Sequence, residues 1–260
     1  MDYLLAIAAG AIQGLTEFLP ISSTGHLIIF EKVLKLNPNY FGLEFDASLH
    51  LGTLLAVILF FYKDYLKIFS KNRRLLSNLA VGTLPAVIAG LLFEDYIDTT
   101  LRQLWIVGLA LILFSFVFLL AEKLGKKVKD IEQTSIKDSL IIGISQAIAL
   151  IPGVSRSGAT ISAGLFQGMK REEAARFAFM LSGPIIAGAG GKKFLDVVSS
   201  QGLQSQTFSF IIIGIISSAI FGYLTIKFFL KYVSQKSLFP FVVYRIILGL
   251  ILIIFSILQY

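Results

Sequence analysis

The chain of 260 residues contains no cysteine. Disulfides and thiolate-bound metals are therefore excluded. Two histidines, His26 and His50, are too few for a histidine-rich metal site. Zinc could draw on at most those two plus carboxylates. Charge is also scarce, at 15% of residues, where a soluble domain carries about 25%. No cleavable signal peptide is expected, because acidic Asp2 stands at the start and the first apolar run leads straight into a polar cluster.

What fills the chain instead is apolar. Hydrophobic residues make up 56%, and the mean hydropathy is +0.81. Several apolar runs approach or exceed about 18 residues, which reads as an all-α polytopic membrane protein. The net charge of +7 would hint at nucleic acid in a soluble protein. Here the basic residues lie in loops between apolar runs, so cytoplasmic anchoring explains them and no nucleic-acid partner is expected.

Six full spans are expected at 47–62, 79–93, 104–121, 174–189, 208–230 and 238–258. Two further apolar stretches are half-length. Leu4 to Leu15 rises about 18 Å as a helix, short of the ~30 Å hydrocarbon core. Pro20 and the Ser-Ser-Thr-Gly run then break it, and a second short arm follows from Leu27 to Leu36. Ser139 to Ile151, the Pro152–Thr160 turn and an arm to about Gln167 repeat that plan. Both read as re-entrant helix pairs, since irregular backbone at membrane depth must be buried in protein or line a wet cavity. Asn37 to Tyr40 reads as a surface turn, and Gly190 to Gln206 as a polar connection.

Sixteen of the 23 Lys and Arg residues fall in four segments, Lys63–Arg74, Lys123–Lys137, Lys170–Arg176 and Lys227–Lys236. The positive-inside rule puts these in the cytoplasm and both termini outside. The first hairpin then enters from outside and the second from the cytoplasm. An internal repeat agrees: Gln13 to Gly25 and Gln146 to Gly158 are both twelve residues apart. The expected fold is thus one integral membrane domain, 1–260, with inverted repeat halves at about 1–121 and 122–260.

The first tip gathers Gln13, Glu17, Ser22, Ser23, Thr24 and His26 within fourteen residues. Polar groups cost free energy in an apolar chain, so such a cluster is a functional-site candidate. Glu17 can bind a divalent cation or act as a base. Gln13, one turn earlier, offers an amide oxygen. Ser22 and Ser23 can present a nucleophile or cap the next helix. His26 can shuttle a proton. The second tip brings Arg156 among Gly153, Ser155, Ser157, Gly158 and Thr160. A guanidinium at membrane depth needs an anion or carbonyls, and its fork suits phosphate. Asp46, Ser48 and His50 read as supporting or packing groups, and Arg245 as snorkelling from the last span. Together these groups suggest phosphoryl chemistry on a lipid.

The stretches Gln13–His26 and Pro152–Thr160 resemble the two signature motifs of the bacterial undecaprenyl-pyrophosphate phosphatases, the bacitracin-resistance family. Phe45–Val57 and Phe241–Arg245 are similar to that family as well, so the resemblance covers essentially the whole chain. It implies removal of the terminal phosphate of undecaprenyl pyrophosphate, which recycles the lipid carrier of cell-wall synthesis and confers bacitracin resistance. It also implies a multi-pass protein of the bacterial plasma membrane whose site opens to the extracytoplasmic side. On matching positions, Gln13 and Glu17 belong to the acidic motif. Ser23 and His26 match the first catalytic loop, and Ser155, Arg156 and Thr160 the phosphate-binding loop. Gln13 is the amide variant, which argues against a mechanism needing two carboxylates there.

The expected mechanism has Glu17 bridge a divalent cation, Mg²⁺ or Ca²⁺, to the lipid pyrophosphate. Gln13, Ser22, Thr24, Ser155, Ser157, Gly158 and Thr160 help to hold the substrate, and Arg156 stabilises the developing charge. Ser23 attacks with His26 or Glu17 as base, or water attacks and Ser23 positions it. A flippase or transporter is the alternative, since inverted repeats are its hallmark. A phosphatidic-acid-type phosphatase needs a histidine after the Ser-Arg loop, and none follows His50. The oligomeric state, a homodimer included, stays open.

Overall fold

The computed structural model describes residues 3–37, 41–201 and 206–258. Among these residues regular structure is helical, apart from one isolated bridge between Lys129 and Met169. The first five helices are α1 (Tyr3–Phe18), α2 (Ser23–Val33), α3 (Leu43–Lys71), α4 (Arg73–Thr99) and α5 (Leu104–Leu124). After a 3-10 turn at Ile131–Gln133 come α6 (Ile136–Ile148), α7 (Arg156–Phe166), α8 (Arg171–Gln201), α9 (Gln206–Val233) and α10 (Phe239–Leu258).

Five of these, α3, α4, α5, α9 and α10, are long and apolar enough to cross a membrane, and the chain is a multi-pass membrane protein. The sixth expected span lies inside α8, which is not among the five. The reason is local. α8 opens on Arg171, Glu172, Glu173 and Arg176 and later carries Lys192 and Lys193. Its middle, including Ala175, Phe177, Phe179 and Leu181, is buried in protein and needs no lipid-facing apolar surface.

α1, α2, α6 and α7 are short, with 16, 11, 13 and 11 residues. They rise roughly 16 to 24 Å. The junctions between them carry the backbone breaks. Ser22 and Ser155 precede α2 and α7 with left-handed φ values of 71° and 73°. For a residue with a Cβ, that conformation costs roughly 1–3 kcal/mol each and persists only where the surroundings impose it.

The expected basic loop at Lys63–Arg74 is a corner, not a loop. Lys63, Lys67 and Lys71 extend α3, Arg73 and Arg74 open α4, and Asn72 between them caps α4 by accepting from Leu75 N–H at 3.0 Å. Lysine and arginine favour helix, so the charges lengthen the spans. α3 bends at Phe61 (φ −98°, ψ 16°). Likewise α8 continues through the expected polar connection as far as Gln201, while 202–205 lie outside the described residues. The expected turn at Asn37 to Tyr40 falls outside them from 38 to 40.

Between apolar helices in lipid, close packing replaces the hydrophobic drive. Glycine sets the crossings. A Cβ at Gly10 of α1 would lie 2.3 Å from Gly214 O of α9, and one at Gly143 of α6 would lie 2.4 Å from Gly82 O of α4. Gly108 of α5 and Gly249 of α10 meet reciprocally, each hypothetical Cβ 2.7 Å from the other's carbonyl. α3 packs on α8 and α9, and α7 lies among α5, α6 and α8. Phe18, Phe61, Phe177, Phe179 and Phe229 fill the core, while Phe228 and Ile257 each stand 67% exposed on the outer faces, as lipid-facing side chains do.

Candidate active site

Gln13 and Glu17 are one helical turn apart near the end of α1, so both project from one face, and both are buried. The 19–22 turn folds the chain back, and Ser23 opens α2. Its hydroxyl donates to Glu17 Oε2 at 2.6 Å. Gln13 Nε2 donates to the same oxygen at 2.9 Å.

The other turn closes over this pair. Ser155 caps α7, its Oγ accepting from Gly158 N–H at 3.3 Å. Arg156, first residue of α7, donates to Glu17 Oε1. Ser157 donates to Leu19 O at 3.1 Å and has its Oγ 3.2 Å from that of Ser155. The two polar tips seen in the sequence therefore touch. Both α2 and α7 begin there, so two helix N-termini favour negative charge at the junction.

Behind the junction lies Arg245, expected to snorkel from the last span. The structure corrects that: it is 0% exposed. Its guanidinium donates to the carbonyls of Gly153 (3.0 Å), Val154 (3.1 Å), Leu111 (3.3 Å) and Pro20 (3.4 Å), and to Ser115 Oγ (3.2 Å). It also lies 4.5 Å from the Phe118 ring centre. Carbonyl dipoles and an aromatic face replace the missing carboxylate. Both turns are pinned by one side chain.

A cavity of about 460 Å³ opens over the junction. Glu17, Ser22, Ser23, Thr24, Ser155 and Arg156 line its polar floor. Val87, Leu91, Leu150 and Ile185 line an apolar wall. At the rim Lys192 pairs with Glu94 at 2.6 Å, Lys193 with Glu94 at 3.1 Å and with Asp98 at 3.4 Å, and Arg102 with Asp46 at 3.1 Å.

The remaining candidates stand behind that surface. His26 points elsewhere: its Nδ1 is 2.7 Å from Ser22 O, its Nε2 2.7 Å from Tyr244 OH, and its ring stacks on Tyr244. Thr160 donates to Arg156 O at 2.7 Å and braces the helix start. Gly158 makes room for Phe118, whose Cζ would be 2.0 Å from a Cβ there. The imidazole that does line the cavity is His50, with Nδ1 3.0 Å from Gln13 Nε2 and 3.6 Å from Glu17 Oε2. A lone histidine in an apolar helix carried no sign of which motif it would meet. Ser48, by contrast, donates within α3, to Glu44 O at 2.7 Å.

Among the described residues no group of three or more His, Asp or Glu could hold a metal ion. Gln13 Oε1 is buried without a hydrogen-bond partner, one turn from the Glu17 carboxylate. Gln13 turns its amide nitrogen, not this oxygen, toward Glu17, so the Glu17 carboxylate is the group placed to take a hard divalent cation whose other ligands come from phosphate and water.

The profile of the family described as bacitracin resistance protein BacA matches residues 6–251, both tips included. The chain belongs to this family. The BacA match is supported over full length by individual relatives. A protein of Thermodesulfovibrio yellowstonii named undecaprenyl-diphosphatase is 46% identical, with 97% of each chain covered. Proteins of the same name from Rubrobacter xylanophilus and Desulforudis audaxviator are 42% and 41% identical, with 96% and 100% of each chain covered.

Proposed function

We propose that this chain is an undecaprenyl-diphosphatase, hydrolysing undecaprenyl pyrophosphate to undecaprenyl phosphate and inorganic phosphate. It thereby returns the lipid carrier to cell-wall synthesis and confers bacitracin resistance. The hydrogen bond from Ser23 Oγ to Glu17 Oε2, 2.6 Å long, carries this reading. It is a nucleophile–base pair at ordinary reach, on the carboxylate that Arg156 also grips. The names of the relatives favour a hydrolase and give no support to a flippase.

The terminal phosphate competes with Glu17 for Arg156, and the N-termini of α2 and α7 add to its hold. Ser23 Oγ bonds to the terminal phosphorus as the bridging P–O bond breaks. Glu17 takes the hydroxyl proton and passes it to the departing lipid phosphate. Water then attacks the phosphoserine; Glu17 accepts one of its protons and returns it to Ser23 Oγ as that P–O bond breaks. Arg156 stabilises the charge on the equatorial oxygens in both steps. A divalent cation, Mg²⁺ or Ca²⁺, held by Glu17, would supply charge neutralisation for the pyrophosphate. The apolar wall of Val87, Leu91 and Ile185 suits the first isoprene units.

The same reading includes a bacterial plasma-membrane location, six spans with α8 as the sixth, two re-entrant pairs and inverted halves at about 1–121 and 122–260. Several observations support it. The halves repeat two short helices, two long ones and a medium one. The Gly10–Gly214 contact is mirrored by Gly143–Gly82, and Ser22 by Ser155. The cavity rim lies on the side opposite the basic corner of Lys63–Arg74, favouring an extracytoplasmic mouth.

The test is phosphate release by purified protein from a prenyl pyrophosphate, with and without chelator. Arg156→Ala is expected to lose about 100-fold or more in turnover while the protein stays folded. Rapid acid quench is expected to trap phosphate on the peptide bearing Ser23. Near-normal release by Arg156→Ala would remove the assignment, and quench without phosphoserine would make water the nucleophile.

A further inference from the structure

We propose that His50 contacts the substrate directly, donating its Nε2–H to a pyrophosphate oxygen, and that Gln13 positions it by setting its tautomer. This rests on the phosphatase reading above.

The argument begins at the Gln13 amide. Its nitrogen carries two hydrogens and has two acceptors at hand, Glu17 Oε2 at 2.9 Å and His50 Nδ1 at 3.0 Å. The reversed amide would press its oxygen against the carboxylate, so the orientation is decided by charge. His50 Nδ1 is then an acceptor, and the neutral ring holds its proton on Nε2. No described residue is bonded to Nε2. The ring lines the cavity and its side chain is 29% exposed, within the same wall as Glu17 and Arg156. His26 differs on every count, with both ring nitrogens engaged by Ser22 O and Tyr244 OH.

A neutral donor suits this place. A second cation beside Arg156 would draw Glu17 away from Ser23, whereas an imidazole N–H adds a hydrogen bond to the phosphate without adding charge. Gln13 thus has a task that a carboxylate there could not perform, because a carboxylate accepts and would pull the His50 proton onto Nδ1.

The experiment compares His50→Phe, His50→Asn and His50→Gln with the parent chain, using phosphate release from a prenyl pyrophosphate and gel filtration as the folding control. His50→Phe is expected to lower kcat/KM about 10- to 100-fold, mostly through KM. His50→Gln, whose amide nitrogen reaches the Nε2 position, is expected to recover most of that loss, and His50→Asn, whose amide falls at Nδ1, is not. Nitrogen-15 spectra of histidine-labelled protein, simple because the chain has two histidines, are expected to show His50 protonated at Nε2. In Gln13→Glu the proton is expected at Nδ1. A parent that hydrolyses while His50→Phe keeps its KM would overturn the His50 inference alone, as would equal rescue by Asn and Gln or a proton on Nδ1 in the parent. A parent that releases no phosphate overturns the phosphatase reading itself. The spectra decide the tautomer even where a variant fails to fold.

Discussion

Replacing Arg245 by methionine is expected to unlatch the two turns that build the site. The guanidinium supplies donors to the carbonyls of Pro20, Gly153 and Val154. These carbonyls lie in turns, outside any helical ladder. Orphaning three buried carbonyls costs about 1–3 kcal/mol each. Against that, the variant no longer desolvates an unpaired guanidinium, which returns several kcal/mol. The balance is a net loss of roughly 2–4 kcal/mol, or about 5–15 °C in the melting temperature of a chain this long. Activity is expected to fall further than stability does. Pro20 sits between Glu17 and Ser23, and Val154 two residues before Arg156, so the reacting groups lose their mutual placement. A shift of about 1 Å is worth roughly 100-fold in rate. The assay is thermal unfolding in detergent alongside phosphate release at a temperature where both proteins are folded. Arg245→Lys, which keeps the charge but not the planar fork, is expected to recover only part of the loss. A methionine variant with the parent's melting temperature and turnover would refute the reasoning.

Two further predictions concern stability. Gln146 is 1% exposed and neither of its amide atoms has a hydrogen-bond partner; Gln146→Leu is expected to raise stability by about 1–2 kcal/mol, and a lower melting temperature would show that a bound water or ligand satisfies the amide. Asp138 stands at the surface end of α6, where burial pushes its carboxyl up but the Lys129 ammonium at 2.7 Å and the Ser135 backbone and hydroxyl outweigh it, holding the carboxyl below its ordinary value of 3.8. A depressed folded-state value means that its stabilisation is full above pH 3.8 and fades as the pH falls through the folded value. Asp138→Asn is therefore expected to melt lower than the parent at neutral pH and to match it at strongly acid pH; parallel melting curves at every pH would contradict this.

Much of the site was readable along the chain. Glu17, Ser23 and Arg156 announced themselves because charge and hydroxyls are costly among apolar residues. The breaks after α1 and α6 were marked by Pro20, Pro152 and the serine-glycine runs that cannot continue a helix. Two expectations about neighbours fared differently. His26, four residues from Ser22 in the chain, faces Tyr244, while His50, 37 residues from Gln13, meets its amide. Proximity in sequence says which turn a side chain belongs to, not which face of that turn meets the cavity. The extent of α8 was hidden for a related reason. Its small and charged residues lower its hydropathy, and only burial against other helices makes such a composition stable as a long helix.

By itself the sequence determined the solvent and the chemistry: apolar runs too long and too poor in charge for water, two polar tips, one anion-seeking arginine and one carboxylate. Tertiary structure alone decided how those groups meet. Arg156 reaches Glu17 across 139 residues because the end of α1 and the start of α7 meet at one junction. That junction is set by glycine-mediated helix crossings and by a buried Arg245 that grips both turns through their backbone carbonyls. Backbone carbonyls are common to every residue, so nothing in the local sequence of either turn marks it as the partner of Arg245.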